Sequence, residues 1–227
     1  GDEVKEFEKL LSNYFGRTSI CVVNGTAALH LALQVADIKV GDEVLIPSLT
    51  YVACFQAITA VGAVPVSCEV DPDNLCIDYK DVQKKISNKT KAIMPVHYAG
   101  DSGSLDQIYC IAKKNNLRVI EDAAHAFGSF NKSVKIGSTG DIVCFSFDGI
   151  KNITSGEGGC IVTSNEDTIR KIKDARLLGI INDTEKRYKG QRSWNFDVVS
   201  QGWRYHMSNL MAAIGIEQFK KINHFAK

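Results

Sequence analysis

The chemistry of this chain starts at Lys151, in Phe145-Ser146-Phe147-Asp148-Gly149-Ile150-Lys151-Asn152-Ile153-Thr154-Ser155-Gly156-Glu157-Gly158-Gly159. The lysine comes just after an apolar run, Asp141 to Phe147, and just before a run of Thr, Ser and Gly. That places it past the carboxyl end of a buried strand, where open α/β sheets hold their ligands. Desolvation at such a place lowers the pKa of an ammonium group. The freed lone pair can form a Schiff base with a carbonyl compound. Taken singly, most lysines in such positions are ordinary loop residues. Its company decides the matter: an acid, a phosphate cradle and an aromatic lid all lie upstream.

The acid is Asp122, in Leu117-Arg118-Val119-Ile120-Glu121-Asp122-Ala123-Ala124-His125-Ala126. Residues 117–120 read as a short apolar strand with Glu121 and Asp122 at its end. Adjacent carboxylates on an extended chain point to opposite sides, so one should face the site and the other a structural partner. A buried carboxylate needs a positive partner or hydrogen bonds, and a protonated pyridine nitrogen would serve. The competing role for Asp122 is to cap a helix beginning at Ala123. His125 reaches the same cavity if that helix forms, and otherwise reads as a core histidine.

The cradle is Asn24-Gly25-Thr26-Ala27-Ala28, between the apolar strand 20–23 and a helical pattern over 27–35. Free N–H groups and the helix dipole make such a junction an anion site. Gly25 permits close approach of the backbone, and the Thr26 hydroxyl adds a hydrogen bond or a cap. The chain contains neither a P-loop nor a G-x-G-x-x-G fingerprint.

Stepping from strand to helix, the chain alternates. Strands are predicted at 19–23, 43–47, 64–70, 91–96, 117–121, 141–147 and 159–163. Helices are predicted at 4–14, 26–36, 50–61, 79–86, 105–115, 166–178 and 208–225. Strands that are apolar without alternation indicate a sheet buried on both faces and mostly parallel. The polar stretch 182–201, with Lys186, Arg187, Lys189 and Arg192, reads as a loop whose basic cluster is a solvated face or a partner for a nucleotide diphosphate.

With 227 residues, 44% hydrophobic, and a net charge of +1, the chain can bury a sizeable core. Its balanced charge leaves no footprint for nucleic acid, and its apolar runs fall short of the roughly 20 residues that span a bilayer. Nothing at Gly1-Asp2-Glu3 reads as a signal peptide. Seven cysteines form no C-x-x-C pair, and Cys21, Cys68, Cys144 and Cys160 read as small core residues. A reducing cytoplasm fits. The five histidines are scattered, and no metal site is expected.

Together these segments resemble the DegT/DnrJ/EryC1/StrS group of sugar aminotransferases, fold-type I enzymes that use pyridoxal 5'-phosphate. The resemblance also takes in Gly41-Asp42-Glu43-Val44, Pro47-Ser48-Leu49-Thr50-Tyr51-Val52-Ala53, Pro95-Val96-His97, Gly140-Asp141 and Ala212-Ala213-Ile214-Gly215-Ile216. It implies an α/β large domain with a mostly parallel central sheet flanked by helices. By the same resemblance Lys151 looks like the lysine that bonds the cofactor and carries protons. Asp122 looks like the carboxylate that keeps the pyridine nitrogen protonated, with His125 beside the ring hydroxyl. Tyr51 would stack on the ring, an arrangement worth about 0.5–1.5 kcal/mol beyond area burial. Gly25, Thr26, Ala27 and Ser146 would hold the phosphate, and Ser146 has the family's spacing, five residues before Lys151.

Near the end the chain departs from the pattern, with Arg204-Tyr205-His206-Met207 where many relatives read Asn-Tyr-Arg-Met. A residue in this segment reaches the neighbouring subunit's cofactor phosphate in the family, so Arg204 or His206 is expected to do so in a homodimer. Surface residues at a helix start are the alternative. The resemblance further implies that residues 1–227 are the large domain alone, without the family's N-terminal segment and small C-terminal domain. The implied reaction is amino transfer from an amino acid, glutamate by analogy, to a nucleotide-linked keto-sugar in cell-surface polysaccharide biosynthesis. The alternatives are a non-catalytic remnant and a sugar dehydratase, which in this family carries histidine at the lysine position.

Overall fold

The computed structural model describes residues 1–180 and 197–225. The basic cluster at 186–192 lies outside the described residues. Among these described residues, seven strands form the central sheet: β1 (Thr18–Val22), β2 (Glu43–Pro47), β3 (Val64–Cys68), β4 (Thr90–Ile93), β5 (Arg118–Asp122), β8 (Ile142–Ser146) and β9 (Gly159–Thr163). Their spatial order is β1-β9-β8-β5-β4-β2-β3. Only β9 runs antiparallel to its neighbours β1 and β8, and the other pairings are parallel. A short hairpin of β6 (Phe130–Asn131) and β7 (Val134–Lys135) stands apart.

Burial on both faces explains the unbroken apolar strands. Ile20, Ile46, Met94, Ile120 and Ile161 meet α2 (Gly25–Val35), α3 (Val52–Ala60) and α6 (Glu166–Ala175) on one face. On the other, Cys21, Val143, Phe145 and Cys160 pack on α1 (Asp2–Phe15) and a C-terminal helix, here α7 (Asn209–Phe219). The same face is completed over Leu45, Ile93 and Val119 by α4 (Tyr79–Lys85) and α5 (Leu105–Lys114). Cys21, Cys68, Cys144 and Cys160 are all buried free thiols. Among the described residues no helix is long and apolar enough to cross a membrane.

Several boundaries differ from expectation for local reasons. Strand β3 stops at Cys68 rather than at 70, and beyond it only Val70 bridges back to Ile77. Helix α6 ends at Ala175 because Leu178 and Gly179 both take positive φ, 68° and 69°. The expected helix over 208–225 is two, α7 and α8 (Ile222–Phe225). The helix that Asp122 would cap as its alternative role does not form at Ala123. Successive turns replace it, with Ala126 N–H donating to Ala123 O and Ser129 N–H to Ala126 O.

The topology makes the site. Strand β1 lies at one edge, while β2 lies near the other, so α2 must cross the sheet to join them. Its N-terminus therefore comes down beside the end of β8, at a place where strand order jumps. Such switch points are where open α/β sheets form crevices.

Candidate active site

A cavity of about 640 Å³ opens at the carboxyl ends of the parallel strands. Its wall includes Gly25, Thr26, Tyr51, Asp122, His125, Ser146 and Lys151. These come from four stretches of chain, and only the fold brings them together.

Asn24 sets the cradle. Its extended backbone (φ −165°) ends β1, and its side chain caps α2 by accepting from Ala27 N–H at 2.8 Å. A cap of this kind is worth about 1 kcal/mol. Thr26 is therefore not the cap. Ala27 also departs from expectation: its N–H is taken by Asn24, and the residue is buried off the cavity wall. The first N–H groups of the helix, on Gly25 and Thr26, have no partner among the described residues, so they are the ones available to an anion. Ser146 closes the cradle from β8. A Cβ on Gly25 would sit 2.9 Å from Ser146 Cβ and 3.2 Å from its Oγ. Glycine is thus what lets the helix start approach the serine.

Asp122 ends β5 with its backbone fixed on both sides: its N–H donates to Pro95 O at 2.9 Å, and its carbonyl accepts from His97 N–H at 3.0 Å. One carboxylate oxygen accepts from Ala124 N–H at 3.0 Å and the other from the Cys54 thiol at 2.9 Å. The neighbour Glu121 points the other way, into a buried network. It bonds His97 Nε2 at 2.8 Å and accepts from the Tyr109 hydroxyl. Burial and that carboxylate push the Tyr109 hydroxyl well above its ordinary pKa, so the phenol stays a donor. The two acids separate as the extended backbone requires.

Lys151 is placed by an aspartate turn. Asp148 accepts Ile150 N–H on its side chain (3.1 Å) and Lys151 N–H on its carbonyl (3.0 Å). Ile153, 1% exposed, anchors the loop below. His125 reaches the cavity from the turns after β5 rather than from a helix. Burial first, then Lys151, holds its imidazole below the ordinary histidine pKa, against an opposing pull from Asp122. Tyr51, 76% exposed, stands at the rim as the residue before α3.

Arg204 and His206 do not line this cavity. They lie on a strap along the edge of the sheet, where Arg204 bridges Leu177 and His206 bridges Val22. Arg204 is exposed, while His206 Nδ1 is buried with no partner among the described residues. Sequence reasoning did not single out Cys54, Asp148 or the Glu121–His97–Tyr109 network. Asp148 had a signal in the D-G-I-K order of an aspartate turn; Cys54 had none, because its contact to Asp122 spans 68 residues.

A Gly–Thr helix start, a strand-end serine, a buried acid and a loop lysine thus line one crevice of an α/β fold with a mostly parallel sheet. The chain belongs to the DegT/DnrJ/EryC1/StrS aminotransferase family, whose model matches residues 1–227. It is 43% identical over 224 residues to GDP-perosamine synthase of Caulobacter vibrioides, covering 98% of this chain and 58% of that protein. It is 38% identical over 228 residues to spore coat polysaccharide biosynthesis protein SpsC of Bacillus subtilis, covering 100% and 59%. Among solved structures it superposes on NtdA of Bacillus subtilis with bound cofactor PMP at a TM-score of 0.89. The identity there is 32%, over 99% of this chain and 49% of that one. The chain thus spans a little over half the length of the curated relatives it matches.

Proposed function

We propose that this domain carries the cofactor centre of a pyridoxal 5'-phosphate-dependent aminotransferase acting on a nucleotide-linked keto-sugar. The observation that carries the proposal is the convergence of Lys151, Asp122 and the Gly25–Thr26–Ser146 cradle on one cavity. The residues fit the group. Two free N–H groups and a hydroxyl suit a phosphate, and the Gly25 gap would be filled by any Cβ. The volume lies within the range of roughly 300–1,000 Å³ usual for small-molecule sites. When bound, the cofactor supplies a reactive carbonyl and an electron sink.

The chain's own residues do the rest. Gly25, Thr26 and Ser146 hold the phosphate. Asp122 is the negative group for the ring nitrogen, its orientation fixed by two donors. Lys151 presents its amine to the carbonyl carbon and afterwards moves a proton at Nζ. Tyr51 covers the ring from the rim, and His125 stands at its polar edge. Ala27 is left out of the phosphate set because its N–H is occupied.

The substrate reading is supported by the relatives' names, one a GDP-sugar synthase and one a polysaccharide biosynthesis protein. We take glutamate as the donor, a homodimer as the working form, the cytoplasm as its location and cell-surface polysaccharide, such as lipopolysaccharide, as the destination. In the dimer Arg204, with its rigid fork of donors, or His206 would meet the partner's cofactor phosphate. The test is an absorbance titration with pyridoxal 5'-phosphate, followed by glutamate and then a GDP-linked keto-sugar. A cofactor band that glutamate discharges and the keto-sugar restores supports the proposal. A chain that takes up no cofactor contradicts it.

A further inference from the structure

We propose that Cys54 is a positioning residue for Asp122, so that a buried thiol sets the orientation of the carboxylate facing the cofactor nitrogen. The inference rests on the reading of Asp122 given above. Cys54 lies on the first turn of α3, fully buried, with its sulfur 2.9 Å from Asp122 Oδ2 and 3.0 Å from Thr50 Oγ1. The sulfur lies between a hydroxyl that can donate to it and a carboxylate that can only accept. The direction of the chain is therefore fixed as Thr50 O–H to Cys54 S–H to Asp122.

Asp122 has two carboxylate oxygens, and each meets one donor from the protein. Ala124 N–H belongs to the turn after β5 and holds Oδ1 at 3.0 Å. Cys54 belongs to α3 and holds Oδ2. One donor alone would leave the carboxylate free to swing about its Cβ–Cγ bond. Two donors on opposite oxygens fix its plane, which a group that must meet a ring nitrogen in line requires. Both the burial of Cys54 and the nearby carboxylate push its thiol well above the ordinary range, so it stays protonated and remains a donor. Tyr51 and Cys54 share the start of α3, with Cys54 N–H donating to Tyr51 O at 3.1 Å. The element that presents the aromatic rim thus also carries the thiol that aims the acid.

The first measurement needs no cofactor. The S–H stretching band of Cys54, isolated as the infrared difference between the chain and its Cys54→Ser variant, should be displaced from that of the exposed Cys110 thiol. Asp122→Ala should return it towards the free position. The second measurement is the dissociation constant for pyridoxal 5'-phosphate. Cys54→Ala should weaken binding roughly tenfold, the effect of losing one hydrogen bond to a charged group, whereas Cys54→Ser, which keeps a donor, should stay within about threefold. Circular dichroism of the variants establishes that each is folded. A Cys54 band at the free-thiol position, or Ser and Ala variants that bind alike, overturns the proposal. A displaced band in a chain that binds no cofactor overturns the reading of Asp122 instead.

Discussion

Glu121 and Asp122 are neighbours on one strand, yet their carboxylates serve opposite faces of the sheet. Glu121 is closed off with His97 and Tyr109, and Asp122 looks into the cavity between Cys54 and Ala124. Only the second can meet a ligand. Replacing Asp122 with Asn keeps its shape and removes its charge. Amino transfer by the enzyme carrying this domain should then fall by more than about a hundredfold, the scale expected for losing one preorganised electrostatic partner. Cofactor affinity should fall far less. The same change at Glu121 should instead lower the melting temperature, since it disturbs a buried network. Steady-state rates beside thermal melts separate the two.

Gly159 is a test of the junction between cradle and sheet. A Cβ there would lie 2.7 Å from Asn24 C and O and 2.8 Å from Phe145 O, all backbone atoms that cannot swing aside. Gly159→Ala should cost about 1–3 kcal/mol, the usual penalty for overpacking. It should also weaken phosphate binding, because Asn24 caps the cradle. Urea melts and inorganic phosphate titration would read both.

Acid should destabilise the domain through histidines before it does so through carboxylates. Burial lowers the pKa of His30, His125 and His206 from the ordinary 6.5. Above 6.5 they are neutral in both states and the folded chain loses nothing. As the pH falls through 6.5 the unfolded chain binds protons first, so stability declines until the folded-state values are passed. The lowered carboxylates Asp81, Asp106 and Asp167 start from an ordinary value of 3.8 and act only below it. The melting temperature should therefore drop between pH 7 and 5. His30→Gln should shrink that drop; an unchanged profile would contradict the assignment.

A shared site would reveal itself by complementation. Lys151→Ala chains mixed with Arg204→Glu/His206→Glu chains should regain activity, because in a heterodimer both defects fall in the same site. Two-fold closure is the commonest oligomeric arrangement. No recovery on mixing, with both parents dimeric and inactive alone, would place the strap residues in their own subunit's site rather than the partner's.

The inner part of the sheet was legible in the sequence because both of its faces are buried, so strands such as β5, β8 and β9 are marked by apolar runs, whereas the edge strand β3 is mostly exposed. Motifs that sit at strand ends, such as Asn24–Thr26 and Asp122, were legible for the same reason: the strand announces where it stops. Helix ends were harder. Leu178 takes a left-handed conformation that leucine does not advertise, and the turns at Ala123–Ser129 replace a helix that local composition favours. Least visible were contacts between distant segments. The Cys54–Asp122 bond and the occupied N–H of Ala27 depend on how α3 and α2 dock, which no local pattern encodes.

We assign to Lys151 the bond to the cofactor. Lys151→Ala should leave the fold and its melting temperature nearly unchanged, since the side chain is half-buried at the rim of a loop held by Asp148 and Ile153. The decisive measurement is borohydride reduction of the chain loaded with pyridoxal 5'-phosphate, followed by peptide mass spectrometry. A single phosphopyridoxyl group is expected on the peptide containing Lys151, absent from Lys151→Ala. Label on another lysine, or undiminished label in the variant, would contradict it.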